Sequence, residues 1–171
     1  MTQELIDLRT SIIEGRYDDA LAIVDELEAM SKKEILRKIK SFLIRLLVHL
    51  IKNQVEQRLT NSWAASISNS LGEIQDLNLK DNKTSYYLNP DDWEPMLNPA
   101  LEQAIRQASA EVMGGKLTPG KLGAMVDKPQ LILTATTMLF LTYQYSADAL
   151  MPAVDEHLAQ LPGGKQWRDG E

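Results

Sequence analysis

A chain of 171 residues suits one domain and can bury a continuous core without covalent staples. It contains no cysteine, which removes disulfides, thiolate nucleophiles and cysteine-type zinc sites. Its formal charge of -6 argues against general affinity for nucleic acid or anionic membranes.

The opening Met-Thr-Gln-Glu lacks a basic, apolar leader, so a cytoplasmic location is expected. The charge is unevenly placed. Residues 1–31 carry two Arg against eight Asp and Glu, residues 32–58 carry eight Lys and Arg against two Glu, and the remainder is again acidic. A basic segment therefore lies between acidic ones.

Gln3 to Glu14 reads as a helix with Leu5, Leu8 and Ile12 on one face and Ile6 and Ile13 beside it, stopped by Gly15. Asp18 or Asp19 starts a second helix with Leu21, Val24, Leu27 and Met30 as its inner stripe, which makes a helical hairpin. GRYDDALAIVDEL is similar to the middle of a tetratricopeptide unit, but no second copy follows at the required period, so a solenoid is rejected.

Ser31 with Glu34 three residues later fits a capping box, and Ser31 is taken as the N-cap of a long helix to Arg58. Ile35, Ile39, Phe42, Leu43, Leu46, Leu47 and Leu50 fall on one broad face, which Ile44, Val48 and Ile51 widen further. At ~1.5 to 3 kcal/mol per buried large side chain, this helix decides the core. The remaining arc carries Lys38, Ser41, Arg45, His49 and Lys52, a polar ridge directed at solvent or at an acidic neighbour such as Asp25, Glu26 and Glu28 across the hairpin.

Asn61 or Ser62 caps the next helix, which carries Trp63, Ile67, Leu71, Ile74 and Leu77. Residues 80–99, rich in Asn, Asp and Pro, read as the longest connection. It is either a packed loop anchored by Tyr86, Tyr87 and Trp93 or a contact surface built on them. Asn98–Pro99 opens a helix closed by Gly114 and Gly115, and Thr118–Pro119 opens a short one to about Asp127. The stretch 129–151 has 23 residues with Asp148 its only charge, yet its threonines and glutamines favour a buried helix over a membrane span. Pro152 should kink or restart that helix, and the last residues read as a loose tail.

LLVHLIKNQ, a spacer and NSWAASISNSLGEIQDL, preceded by the hairpin, resemble the bacterial family catalogued as domain of unknown function 29 over roughly residues 1–113. The matching positions are Leu46, Leu47, His49, Leu50, Ile51 and Lys52, then Ser62 and Trp63. The spacer is less arginine-rich than the family's, and nothing from Gly114 onward matches it. The resemblance implies an all-helical fold and a prokaryotic cytosolic origin; it carries no activity with it.

No catalytic or metal-binding constellation accompanies these elements. His49 and His157 stand far apart in sequence, Asp155-Glu156-His157 lacks a helical ligand spacing, and GGKLTPGK lacks the spacing of a phosphate-binding loop. His49 reads as a structural histidine, and Asp91, Asp92 and Glu94 as turn formers. No cofactor, metal or membrane partner is expected.

The expectation is an all-α, single-domain bundle of six to seven helices around a long central helix. Residues 1–113 form the core, 114–162 a helical extension packed on it and 163–171 a flexible tail. The expected function is a non-enzymatic module for protein–protein interaction or self-association, with Lys38, Arg45, His49, Lys52, Tyr86, Tyr87 and Trp93 as candidate contacts. The second reading is nucleic-acid or phosphate binding through the basic face of the Ser31–Arg58 helix.

Overall fold

In the computed structural model, which describes residues 2–170, apolar residues at helical spacing produce eight α-helices. They are α1 (Gln3–Ile13), α2 (Tyr17–Glu56), α3 (Asn61–Asn78), α4 (Glu94–Ser109), α5 (Pro119–Met125), α6 (Lys128–Gln144), α7 (Ala147–Ala159) and α8 (Gly164–Asp169). The protein is all-α: among the described residues the only β pairing is an isolated antiparallel bridge between Leu79 and Tyr86. Among the described residues, no helix is long and apolar enough to cross a membrane.

The chain divides into two compact units, Met1–Lys38 and Ile39–Glu171, with the division inside α2. In the smaller unit, α1 ends where Gly15 takes φ +73, and the N–H of Arg16 donates to the Ser11 carbonyl at 2.8 Å. Among its described residues, Ser11 and Ala20 are the buried ones. The stripe read as the inner face of the second helix is not covered: Leu21 is 62% and Met30 59% exposed, and Leu27 is half-buried.

Ser31 is not an N-cap. It lies exposed in the middle of the 40-residue α2, because no Gly or Pro between Tyr17 and Ser31 interrupts the helix. Without a non-helical residue before it, the Ser-x-x-Glu pattern has no orphan N–H to satisfy, and Glu34 pairs with Arg37 at 3.1 Å instead.

The larger unit is organised on the apolar run of α2 from Ile39 onward. Ile39, Leu43, Leu46, Leu47 and Ile51 are fully buried and Leu50 is 2% exposed. α3 packs on α6 and α7, α4 on α5 and α6, and α7 on α8. Thr60, one residue earlier than expected, caps α3 by accepting the Trp63 N–H at 3.0 Å.

α4 begins at Glu94, not at Pro99. Pro90–Asp92 forms a 3₁₀ turn closed by a capping box between Asn89 and Asp92, and Trp93 leads directly into the helix. Pro99 lies inside α4, where its missing N–H deprives only the Pro95 carbonyl near the helix start, and both prolines are exposed. Thr118 caps α5, as its Thr-Pro signal predicts, by accepting the Lys121 N–H at 3.3 Å.

The apolar stretch 129–151 is two helices. Gln75 donates to the carbonyls of Thr142 at 3.0 Å and Tyr145 at 2.8 Å, which satisfies the end of α6 before α7 begins at Ala147, upstream of Pro152. Residues 164–169, read as a loose tail, form α8, and Trp167 Nε1 donates to Asn61 Oδ1 at 3.1 Å.

Candidate interaction surface

Within the larger unit, the end of α2 is a set of side-chain clamps. Asn53, 2% exposed, donates to the carbonyls of Arg58 at 3.0 Å and Pro162 at 2.8 Å. Gln54 accepts from the Asp127 N–H at 2.8 Å and donates to the Asp127 carbonyl at 3.2 Å, copying with an amide the double bond of two paired backbones. These groups border a cavity of about 430 Å³ that Leu50, Leu131 and Pro162 also line. Asp127 is its one acidic lining residue, and the donors of Asn53, Gln54 and Gln57 are already engaged inside the fold. This arrangement fixes helices; it presents no acid–base pair.

The cationic ridge is divided by its surroundings. Lys52 is largely covered and pairs with Glu111 at 2.6 Å, while its ammonium lies 5.9 Å from the centre of the Trp63 ring. Arg58 lies 4.7 Å from the same ring and pairs with Glu56 at 3.0 Å. Arg45 is exposed and reaches Ser66 Oγ at 3.4 Å. Lys38 is exposed in the smaller unit. The acidic residues Asp25, Glu26 and Glu28 do not face the ridge across a hairpin; they precede it on the same helix.

The His49 ring Nδ1–H donates to the Arg45 carbonyl at 2.8 Å. Burial pushes its pKa below the ordinary 6.5; Lys52 and Arg45 push the same way, against that backbone bond and Glu111. A base whose folded pKa is depressed binds fewer protons folded than unfolded. Its contribution is therefore complete above about pH 6.5 and is lost as pH falls through that value toward the folded pKa. His49→Gln should accordingly flatten the loss of urea resistance between about pH 7 and pH 5, and an unchanged slope would show that His49 does not set it.

The loop aromatics are built into one hydrogen-bonded cluster. Trp93 is 1% exposed, and its indole N–H donates to the Tyr143 hydroxyl at 2.6 Å. That hydroxyl donates to the Leu88 carbonyl at 2.6 Å and accepts from Asn78 Nδ2 at 3.1 Å. Burial raises the Tyr143 pKa, with Trp93 and Asn78 opposing the shift. The Tyr86 ring meets Tyr143 edge-on at 4.8 Å, and Lys80 lies 5.4 Å from the Tyr87 ring. Tyr86 and Tyr87 stay half-buried, and Trp93 has almost no surface left to offer a partner.

A face that periodicity marks as apolar is also left uncovered in the N-terminal unit. On α1, Leu5 and Ile6 are each 42% exposed, Ile12 52% and Ile13 73%, and these positions fall on one side of the helix; at the start of α2, Tyr17 is 65% and Leu21 62% exposed. A shallow groove lined by Leu5, Leu8, Arg9, Ile12 and Ile13 runs along α1. Scattered exposed apolar residues are ordinary, but this concentration within one short unit is not.

The residues of the sequence resemblance take structural roles. Leu46, Leu47, Leu50 and Ile51 are core, and Lys52 and Trp63 belong to the cation–aromatic cluster. No curated protein and no solved structure matches the chain. The family described as domain of unknown function DUF29 matches residues 15–118, well over half of the sequence. That stretch holds the leucine-rich half of α2, the Trp63 cluster and the Asn78 loop, and through it the chain belongs to the DUF29 family.

Proposed function

We propose that this protein is a non-enzymatic helical interaction module that engages a protein partner through the apolar face of its N-terminal unit. The observation that carries this reading is the exposure of Ile12, Ile13, Tyr17 and Leu21, side chains that a helix buries when it can. Cations arranged for phosphates have less support, since Arg37, Lys52 and Arg58 are each paired with a glutamate.

A photo-crosslinking phenylalanine analogue at Ile13 or Leu21, irradiated in the producing cells, should give an adduct of discrete mass. The same analogue at exposed Glu73 on α3 should give none. Absence of an adduct from both apolar positions overturns the proposal. Ile13→Ser should change stability by no more than about 0.5 kcal/mol, because that side chain is 73% exposed and not part of the core.

A further inference from the structure

We infer that the occupant of this surface is a second copy of the chain, with the Asp18–Lys38 part of α2 lying antiparallel to its equivalent. This rests on the interaction reading above and adds the identity and direction of the partner.

The ground is the order of charge along the helix. From Asp18 to Glu28, α2 carries Asp18, Asp19, Asp25, Glu26 and Glu28 with no cation. From Lys32 to Lys38 it carries Lys32, Lys33, Arg37 and Lys38 against Glu34 alone, and every one of these side chains is exposed. Acidic residues near a helix start are favoured by the macrodipole, but the basic block stands mid-helix, where the dipole gives no preference. Nor do the blocks neutralise each other. Among the described residues, the ion pairs in this stretch are Arg16–Asp19 and Arg37–Glu34, and none crosses from one block to the other.

A parallel copy would set acid on acid and base on base. A copy related by a two-fold axis sets each acidic block against the other's basic block, twice over, and such self-complementarity is what a closed dimer requires. Tyr17, Leu21 and Val24, exposed at i, i+4 and i+7, supply apolar contact positions beside the acidic block.

Sedimentation equilibrium of the full chain tests this with two charge-reversed variants. One carries Asp25→Lys, Glu26→Lys and Glu28→Lys; the other carries Lys32→Glu, Lys33→Glu and Lys38→Glu. Wild type should dimerise, more tightly at low salt. Each variant alone should self-associate at least ~100-fold more weakly, because like blocks then meet. An equimolar mixture should recover a dimer that native mass spectrometry resolves as one chain of each kind. Circular dichroism, expected to be unchanged, verifies that the variants fold. A wild type that is monomeric at every concentration and salt overturns the inference, as does a dimer indifferent to both reversals. If the Ile13 and Leu21 adducts then contain a different protein, the interaction module stands while self-pairing falls.

Discussion

Replacing Asn78 by alanine is expected to lower the free energy of unfolding by about 3 kcal/mol, read from urea denaturation followed by circular dichroism. Asn78 is 1% exposed at the end of α3 and holds the loop before α4 by both ends of its amide. Its Oδ1 accepts the Leu88 N–H at 2.7 Å, and its Nδ2 donates to the Leu88 carbonyl at 2.9 Å and to the Tyr143 hydroxyl at 3.1 Å. Alanine leaves the buried Leu88 N–H without a partner, and an orphaned buried donor costs about 1 to 3 kcal/mol beyond the bonds lost. Tyr143→Phe should cost less, since Leu88 keeps its Asn78 bonds and the main loss is the acceptor for Trp93. In the double variant the direct Asn78–Tyr143 bond, which each single replacement already breaks, should be lost only once, so that part of the cost falls short of additivity. A loss below about 1 kcal/mol for Asn78→Ala would show that the loop is held by its aromatics alone.

The core was legible because burial imposes a period. Ile39, Leu43, Leu46, Leu47 and Leu50 recur at helical spacing and are buried where that spacing puts them. The boundary at Ser31 misled because a capping box is a local pattern. It acts only where the chain enters a helix from outside, and residues 17–30 are themselves helical. Partners distant in sequence were not legible either. Nothing in the order of residues announces that Glu111 neutralises Lys52, that Gln75 closes α6, or that Asn53 reaches Pro162. The apolar residues of α1 were visible as a stripe, but periodicity reports that a face is apolar, not whether the chain itself covers it. That is why the proposed contact surface adds Ile13 and Leu21, whose exposure the sequence does not state.

The other large effect is expected at Gly164, where a purely sequence-based view of a loose C-terminal tail predicts no effect at all. Gly164 is buried at the start of α8, and a methyl group there would strike the Leu158 carbonyl oxygen and come within 2.6 Å of the Ala159 carbonyl. These are backbone atoms at the end of α7 and cannot rotate aside as a side chain would. Its neighbour Gly163 takes φ +71, and a Cβ there would lie 2.8 Å from Arg58 Cα, so the turn admits no side chain at either position. Gly164→Ala should therefore cost about 3 kcal/mol, or release α8 if detaching the helix costs less. Both responses break the Trp167–Asn61 hydrogen bond, move Trp167 into water with a red-shifted emission, and open the chain to trypsin at Lys165. A Gly164→Ala protein with unaltered melting, emission and trypsin resistance would mean that α8 does not dock as described. The Asn53 bond to the Pro162 carbonyl would then have no role in holding it.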